Sequence, residues 1–163
     1  MKPSWDGRIA MLRIGLISDT HGLLRPQAAA FLQGCDRILH AGDICSAETL
    51  PLLSALAPVT AVRGNNDYGA WADALRETER LDIGGLAVYV IHDLAELDID
   101  PAAAGVRIVV YGHSHQPHVD ERAGVLYVNP GSAGPRRFRL PVSVGELIID
   151  EGRPSVRLVE LEV

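Results

Sequence analysis

The stretch Tyr111-Gly-His-Ser-His115 places two imidazoles two residues apart at the end of an apolar run. Four earlier segments follow the same plan. Asp19-Thr-His21, Gly42-Asp43, Gly64-Asn-Asn-Asp67 and His92-Asp93 each close an apolar run with Asp, Asn or His. Taken singly, each is a common turn or cap. Their joint order and placement point to one site assembled at the ends of parallel strands. Imidazole nitrogens mixed with carboxylate and amide oxygens suit Mn²⁺, Fe or Zn²⁺ better than a thiolate-bound zinc, and better than Mg²⁺ held by oxygen alone. The chemistry such a set points to is hydrolysis at a two-metal centre.

The elements that must position these groups are readable in outline. Arg13 to Ser18 is a short apolar run, expected to be a buried strand. In an extended chain residues two apart point to the same side, so Asp19 and His21 are expected to face one ion together, and His113 and His115 to face one side. Pro26 to Leu32 reads as a helix with Pro in its first turn, ended by Gly34. Asp36 to Ala41 reads as the second strand. Ser46 reads as the N-cap of a helix reaching about Leu56, and Pro58 stops it. Val59 to Val62 is a third short strand. Strand, polar turn and helix thus alternate three times, the pattern of a βαβ series with its ligand site at the strand C-termini.

Beyond Asp67 the pattern loosens. Trp71 to Glu79 reads as a short helix or covering loop. Glu79 to Ile83 and Leu86 to Ile91 flank Gly84-Gly85, a hairpin signal. Val106 to Tyr111 and Val125 to Val128 are further strands, and Val142 to Ile149 and Ser155 to Leu161 are two more, joined at Glu151-Gly152. Residues 1–10 read as a polar N-terminal extension and 11–163 as a single domain.

The chain has 163 residues, 47% of them hydrophobic, which is enough for a sizeable core and argues against disorder. A net charge of −6 argues against broad binding of nucleic acid or anionic membranes. Phosphate would then need a local positive charge, which metal ions supply. The two cysteines, Cys35 and Cys45, have no metal-type spacing and are too few for a disulfide framework, as expected of reduced thiols in a cytoplasmic protein. No apolar run approaches the ~20 residues of a membrane span, and Ile-Ala-Met-Leu between Arg8 and Arg13 is no signal-peptide core.

The series Asp-x-His, Gly-Asp, Gly-Asn-x-Asp, His, Gly-His-x-His resembles the calcineurin-like metallophosphoesterase superfamily. The short length and Asn129-Pro-Gly-Ser132 resemble its small bacterial and archaeal phosphodiesterase branch. The match covers about Ile14 to Ser132. The resemblance implies an α/β fold, a four-layer α/β/β/α sandwich of two mixed β-sheets flanked by helices, with the metal site at the strand C-terminal ends. It implies that Asp19, His21 and His115 hold one metal, that Asn65, His92 and His113 hold the second, and that Asp43 bridges them. It further implies two divalent ions per chain, Mn²⁺ favoured with Fe, Zn²⁺ or Ni²⁺ as alternatives, and a metal-bridging hydroxide that attacks phosphorus in line. Asp43, Asn65 and His113 would carry the catalysis. Of the seven candidate ligands only Asp19 and Asp43 bring a formal negative charge, so two divalent ions leave the centre net positive inside an acidic protein. The expected substrate is a small phosphate ester, most readily a phosphodiester. The family includes dimers and larger assemblies, which leaves a homo-oligomer open.

Two residues depart from the family pattern. Asn66 stands where many members carry a His thought to assist the leaving group, and it cannot act as a general acid, although the small phosphodiesterase branch commonly lacks that His too. Asp93 stands where Gly usually follows the ligand His, and reads either as a carboxylate that orients His92 or as a sign of a changed turn. His40 reads as a core or supporting histidine and His118 as a loop histidine. Arg63 reads as a phosphate contact or an ion-pair partner. Arg136, Arg137 and Arg139 read as a solvated loop, with a substrate rim as the sharper alternative. The competing functional reading is a protein-interaction scaffold on the same fold. A scaffold is free to lose ligands, whereas all seven positions here hold workable ones.

Overall fold

The computed structural model describes residues 11–163; the extension read for residues 1–10 lies outside the described residues. Its strands are β1 (Leu12–Ile17), β2 (Arg37–His40), β3 (Val59–Ala61), β4 (Thr78–Ile83), β5 (Leu86–Ile91), β6 (Val106–Val110), β7 (His118–Arg122), β8 (Val125–Asn129), β9 (Ser143–Asp150) and β10 (Arg153–Glu160). The helices are α1 (Pro26–Leu32), α2 (Thr49–Ser54) and α3 (Ala70–Asp73), with a 3-10 turn at Leu94–Glu96. The strands form two five-stranded sheets, in the orders β10-β9-β1-β2-β3 and β4-β5-β6-β8-β7. Both are mixed. β1, β2 and β3 run parallel, as do β5, β6 and β8, while β9, β10, β4 and β7 add antiparallel pairs.

Period-two alternation decides which face each side chain meets. Ile14, Leu16, Leu39 and Val62 of the first sheet pack against Val88, Val90, Ile108, Val110 and Val128 of the second, all fully buried. Burying a side chain of this size contributes about 1.5–3 kcal/mol, so the layer between the sheets dominates cohesion. On the far side of the first sheet, α1 brings Ala28 and Leu32 and α2 brings Leu53 against Ile17, Ile38 and Val144. The outer face of the second sheet, with Tyr89, Ile91, Val109, Tyr111 and Tyr127, is covered by Leu94, Leu97 and Ile99 from the 3-10 turn and its loop. The α/β sandwich of two mixed sheets expected from the sequence is the observed architecture.

Local details differ from expectation. Ser46 is not the cap of α2, which begins at Thr49 after Glu48 and has no side-chain cap. Instead the Ser46 hydroxyl accepts from the Glu48 N–H and donates to the Glu48 carboxylate, which uses it in a turn ahead of the helix. His118 lies on β7, an edge strand where the sequence suggests a loop. Its exposed run His-Val-Asp-Glu-Arg lacks the apolar alternation that marks a strand, and pairing with β8 makes it one. The Gly84-Gly85 hairpin forms as expected, both residues in the left-handed region at φ 58° and 85°. No described helix is long and apolar enough to cross a membrane.

Candidate metal centre

The C-terminal ends of β1, β2 and β3 in one sheet and of β5 and β6 in the other deliver their loops to one place. The backbone there is not extended. Asp19, His21, Asp43, His113 and His115 have φ of 53°, 47°, 57°, 73° and 63°. The expectation that residues two apart share a side of an extended chain is therefore corrected: left-handed turns, not the pleat, aim these side chains. Such a conformation costs an L-residue about 1–2 kcal/mol, and cross-loop hydrogen bonds hold it. Asp19 N–H donates to Gly42 O at 2.9 Å, His21 N–H to Asp43 O at 3.0 Å and Gly22 N–H to Ile44 O at 2.8 Å, which locks the β1 and β2 loops side by side.

A residue whose part the sequence did not disclose, Asp67, fixes the next loop. Its carboxylate is buried and accepts four backbone N–H bonds: Ile44 and Cys45 at 2.8 Å each on Oδ1, Asp43 at 3.0 Å and Gly64 at 2.7 Å on Oδ2. Gly64 has to be glycine, because a Cβ there would stand 2.2 Å from Asp43 N. Gly112 has the same constraint, with a Cβ 2.2 Å from Ser18 Oγ and 2.6 Å from Asp19 Oδ2. Asn129 ties down the β6 loop through its amide, donating to Gly112 O at 3.1 Å and Ser114 Oγ at 3.0 Å. Ser132 Oγ donates to Asp19 O at 3.0 Å. The Asn-Pro-Gly-Ser segment thus buttresses the His113 and Asp19 loops.

The candidate ligands fall into two adjoining groups. In the first, Asp19, His21 and His115 offer ligand atoms within 4.8 Å of one another. His21 Nε2 and His115 Nε2 face each other at 3.3 Å. Asp19 Oδ1 lies 3.3 Å from His115 Nε2 and 3.9 Å from His21 Nε2. In the second, Asn65 Oδ1 meets His92 Nε2 at 2.9 Å and His113 Nδ1 at 3.2 Å. Asp43 stands between the groups, its Oδ2 3.6 Å from His21 Nε2 and 3.4 Å from His92 Nε2. All seven sequence-predicted residues therefore converge. His113 and His115 turn to different groups, His113 to Asn65 and His115 to Asp19.

The donor set fits divalent cations. Asp19 Oδ2 is held by Ser18 Oγ at 2.6 Å and His113 N–H at 3.1 Å, while Oδ1, aimed at the two imidazoles, is buried with no hydrogen-bond partner. A buried, unpartnered carboxylate oxygen is costly unless a cation meets it. His92 Nδ1 donates to the Ala41 carbonyl at 2.7 Å, which fixes the tautomer and presents the Nε2 lone pair to the site.

That contact corrects the reading of Asp93 as the group that orients His92. Asp93 Oδ1 accepts from Ala95 N–H at 3.0 Å, capping the 3-10 turn, and its Oδ2 lies 3.7 Å from His113 Nε2. Asn66 is not aimed outward as a leaving-group assistant would be. Its N–H and its side-chain amide both donate to Asp43, each at 2.9 Å. His40 is fully buried as a supporting residue; its Nδ1 accepts from Gly42 N–H at 3.1 Å and its Nε2 donates to Thr20 Oγ1 at 3.0 Å. Arg63 takes the ion-pair role, 3.1 Å from Asp73.

The electrostatics follow from burial and contact. Burial opposes ionisation of Asp43, but the adjoining His92 ring and the hydrogen bonds from Asn66 outweigh it and hold its carboxyl well below the ordinary value. Burial works against a charged His92 ring as well, yet the contact with Asp43 and the charge of Asp19 raise it. Burial lowers His21 despite Asp43 and Asp19, and lowers His40 to about 4. Burial and the Asp67 charge push the Cys45 thiol up to about 11, and its sulfur lies 3.4 Å from His21 Nδ1. A cleft of about 870 Å³ opens beside the second group, bordered by Asn65, His92 and Asp93.

A sequence model described as the Calcineurin-like phosphoesterase superfamily domain matches residues 12–152. A probable metallophosphoesterase from Methanothermobacter thermautotrophicus is 38% identical over 90% of this chain and 91% of its own length. A phosphodiesterase from Methanocaldococcus jannaschii is 27% identical over 93% of this chain and all of its own length. Among solved structures, Vps29 from Entamoeba histolytica complexed with Zn²⁺ superposes with a TM-score of 0.69 at 26% identity, covering 91% of this chain and 99% of that one.

Proposed function

Since the chain belongs to the calcineurin-like phosphoesterase superfamily, we propose that it is a dinuclear metal-dependent phosphodiesterase. In this reading Asp19, His21 and His115 hold one divalent ion, Asn65, His92 and His113 hold a second, and Asp43 serves both. The observation that carries it is the buried, unpartnered Asp19 Oδ1 facing two imidazole nitrogens, with Asp43 set between that group and the Asn65 group. Mn²⁺ suits the mixed nitrogen and oxygen donors, as do Fe, Zn²⁺ and Ni²⁺. The ions would supply Lewis acidity and an activated water for in-line attack on phosphorus. The chain's own contribution is to hold the donors. Ala41 keeps the proton of His92 on Nδ1, Ser18 and the His113 N–H fix the Asp19 carboxylate, and Asn66 fixes Asp43. Asn65 also borders the cleft, where it can meet a phosphate oxygen.

The test is hydrolysis of bis(4-nitrophenyl) phosphate by chelator-treated protein, with and without Mn²⁺, in the wild type and Asp43→Asn. Metal-restored turnover that Asp43→Asn abolishes supports the reading. Tight metal binding with no turnover of any phosphodiester favours the alternative, a protein-interaction scaffold on the same fold.

A further inference from the structure

The cleft beside the Asn65 and His92 group holds far more than a phosphate. At about 870 Å³ it falls in the size range of sites that enclose whole small organic molecules, about 300–1,000 Å³. One end is the candidate metal centre, and Tyr68 and Tyr89 also belong to its lining. Its charge is uneven. Asp67 is spent on four backbone N–H groups, and Arg63 is spent on Asp73 and on the Asp67 carbonyl. The remaining charged lining is Glu77, Asp93, Glu96 and Asp98 against Arg76, and Arg76 is 82% exposed and 3.9 Å from Glu79. The metal centre with its two formal carboxylates would be positive and the cleft leading from it negative.

We infer that this cleft receives one ester arm of the substrate and selects phosphodiesters whose arm is neutral or cationic over those whose arm carries a second negative charge. The inference rests on the dinuclear phosphodiesterase reading and adds the substrate class. The phosphate goes to the positive centre, and the arm passes Asp93 toward Glu96 and Asp98, with the exposed Tyr68 ring available to an ammonium or a ring. A second phosphate or a carboxylate on that arm meets like charge. The wall is partly exposed, so the selection is electrostatic and screened by salt rather than absolute.

The experiment uses the full chain loaded with Mn²⁺ and three 4-nitrophenyl phosphodiesters that share a leaving group and differ in the arm: ethyl, 2-aminoethyl and 2-carboxyethyl. The expected order of kcat/KM is aminoethyl, ethyl, carboxyethyl. The outer two should be separated by about tenfold at low salt, the size of a few exposed charge interactions, and the separation should shrink at high salt. In Glu96→Gln/Asp98→Asn, two exposed positions whose replacement leaves the core untouched, the ratio should fall to within about threefold. Turnover of all three esters at one rate, or a ratio unchanged in the double variant, overturns the inference and leaves the phosphodiesterase reading standing. No turnover of any of them overturns both.

Discussion

Replacing Asp67 by Asn is nearly isosteric and removes one acceptor oxygen. The wild-type carboxylate satisfies four buried backbone N–H groups, two on each oxygen. In the Asp67→Asn variant the amide –NH2 confronts two of those donors, so two hydrogen bonds are lost whichever way it flips. Bonds from a backbone N–H to a charged acceptor contribute about 1.5–3 kcal/mol each. The low end suits donors that water can partly reach once the loops loosen, which gives a destabilisation of about 3 kcal/mol. For a chain of this size that corresponds to a fall in Tm of roughly 6–12 °C. Urea titration followed by circular dichroism measures it, with the thermal scan as a second reading. Because Asp43 N–H is one of the released donors, Mn²⁺ affinity should weaken in parallel. A loss of stability under about 1 kcal/mol would refute the reasoning, since the four bonds would then not be holding the β2 and β3 loops together.

Further outcomes follow from the same geometry. His113→Ala should lower kcat for aryl phosphodiesters by at least about a hundredfold while the unfolding midpoint stays near wild type, because the ring is 46% exposed; near-normal turnover would remove His113 from the site. Asn66→Ala, which deletes the side-chain bond to Asp43, should weaken Mn²⁺ binding by about tenfold, the lower range for a residue that orients a ligand, and an unchanged titration would show that the bond does no positioning. Burial lowers the His40 pKa from an ordinary 6.5 to about 4. Between those values the unfolded chain binds a proton that the folded chain does not, so stability is full above pH 6.5 and falls as pH drops toward 4. At pH 5 this amounts to about 2 kcal/mol, and wild type should lose that much more than His40→Gln between pH 7.5 and pH 5 in paired urea titrations. Equal losses would mean His40 is protonated in the fold. Gly64→Ala should destabilise strongly and displace Asp43, because the new Cβ would stand 2.2 Å from Asp43 N; a variant with wild-type stability and metal affinity would contradict the packing.

The architecture is legible where apolar runs and turn residues agree. β1, the β4–β5 hairpin around Gly84-Gly85 and the β9–β10 pair at the end of the chain all carry apolar residues bounded by turn chemistry, and all form within about two residues of where that pattern places them. β7 is not legible, because an exposed edge strand of polar residues has no core face to mark it. Ser46 misleads because a serine near a helix start can as well close a turn on its own backbone. At the site, the seven residue types in their order are enough to nominate a group that the fold brings together. The cause of their convergence is not the expected one. Pleat geometry does not aim Asp19, His21, His113 and His115; left-handed turns do, and φ is not written in a sequence of non-glycine residues. The contacts of Asp67 and Asp93 are invisible for a related reason. Asp67 acts through backbone N–H groups of loops whose proximity only the assembled sheets create, and the same assembly brings Asp93 beside His113.

The central claim is that the two ligand groups together hold a pair of metal ions. The most direct measurement loads chelated protein with Mn²⁺, removes the excess, counts bound metal per chain and records the low-temperature electron paramagnetic resonance spectrum. Two ions per chain with an exchange-coupled spectrum, reduced to one ion or none in Asp43→Asn, is the predicted result. One ion per chain with the six-line spectrum of isolated Mn²⁺, or no retained metal, would contradict it.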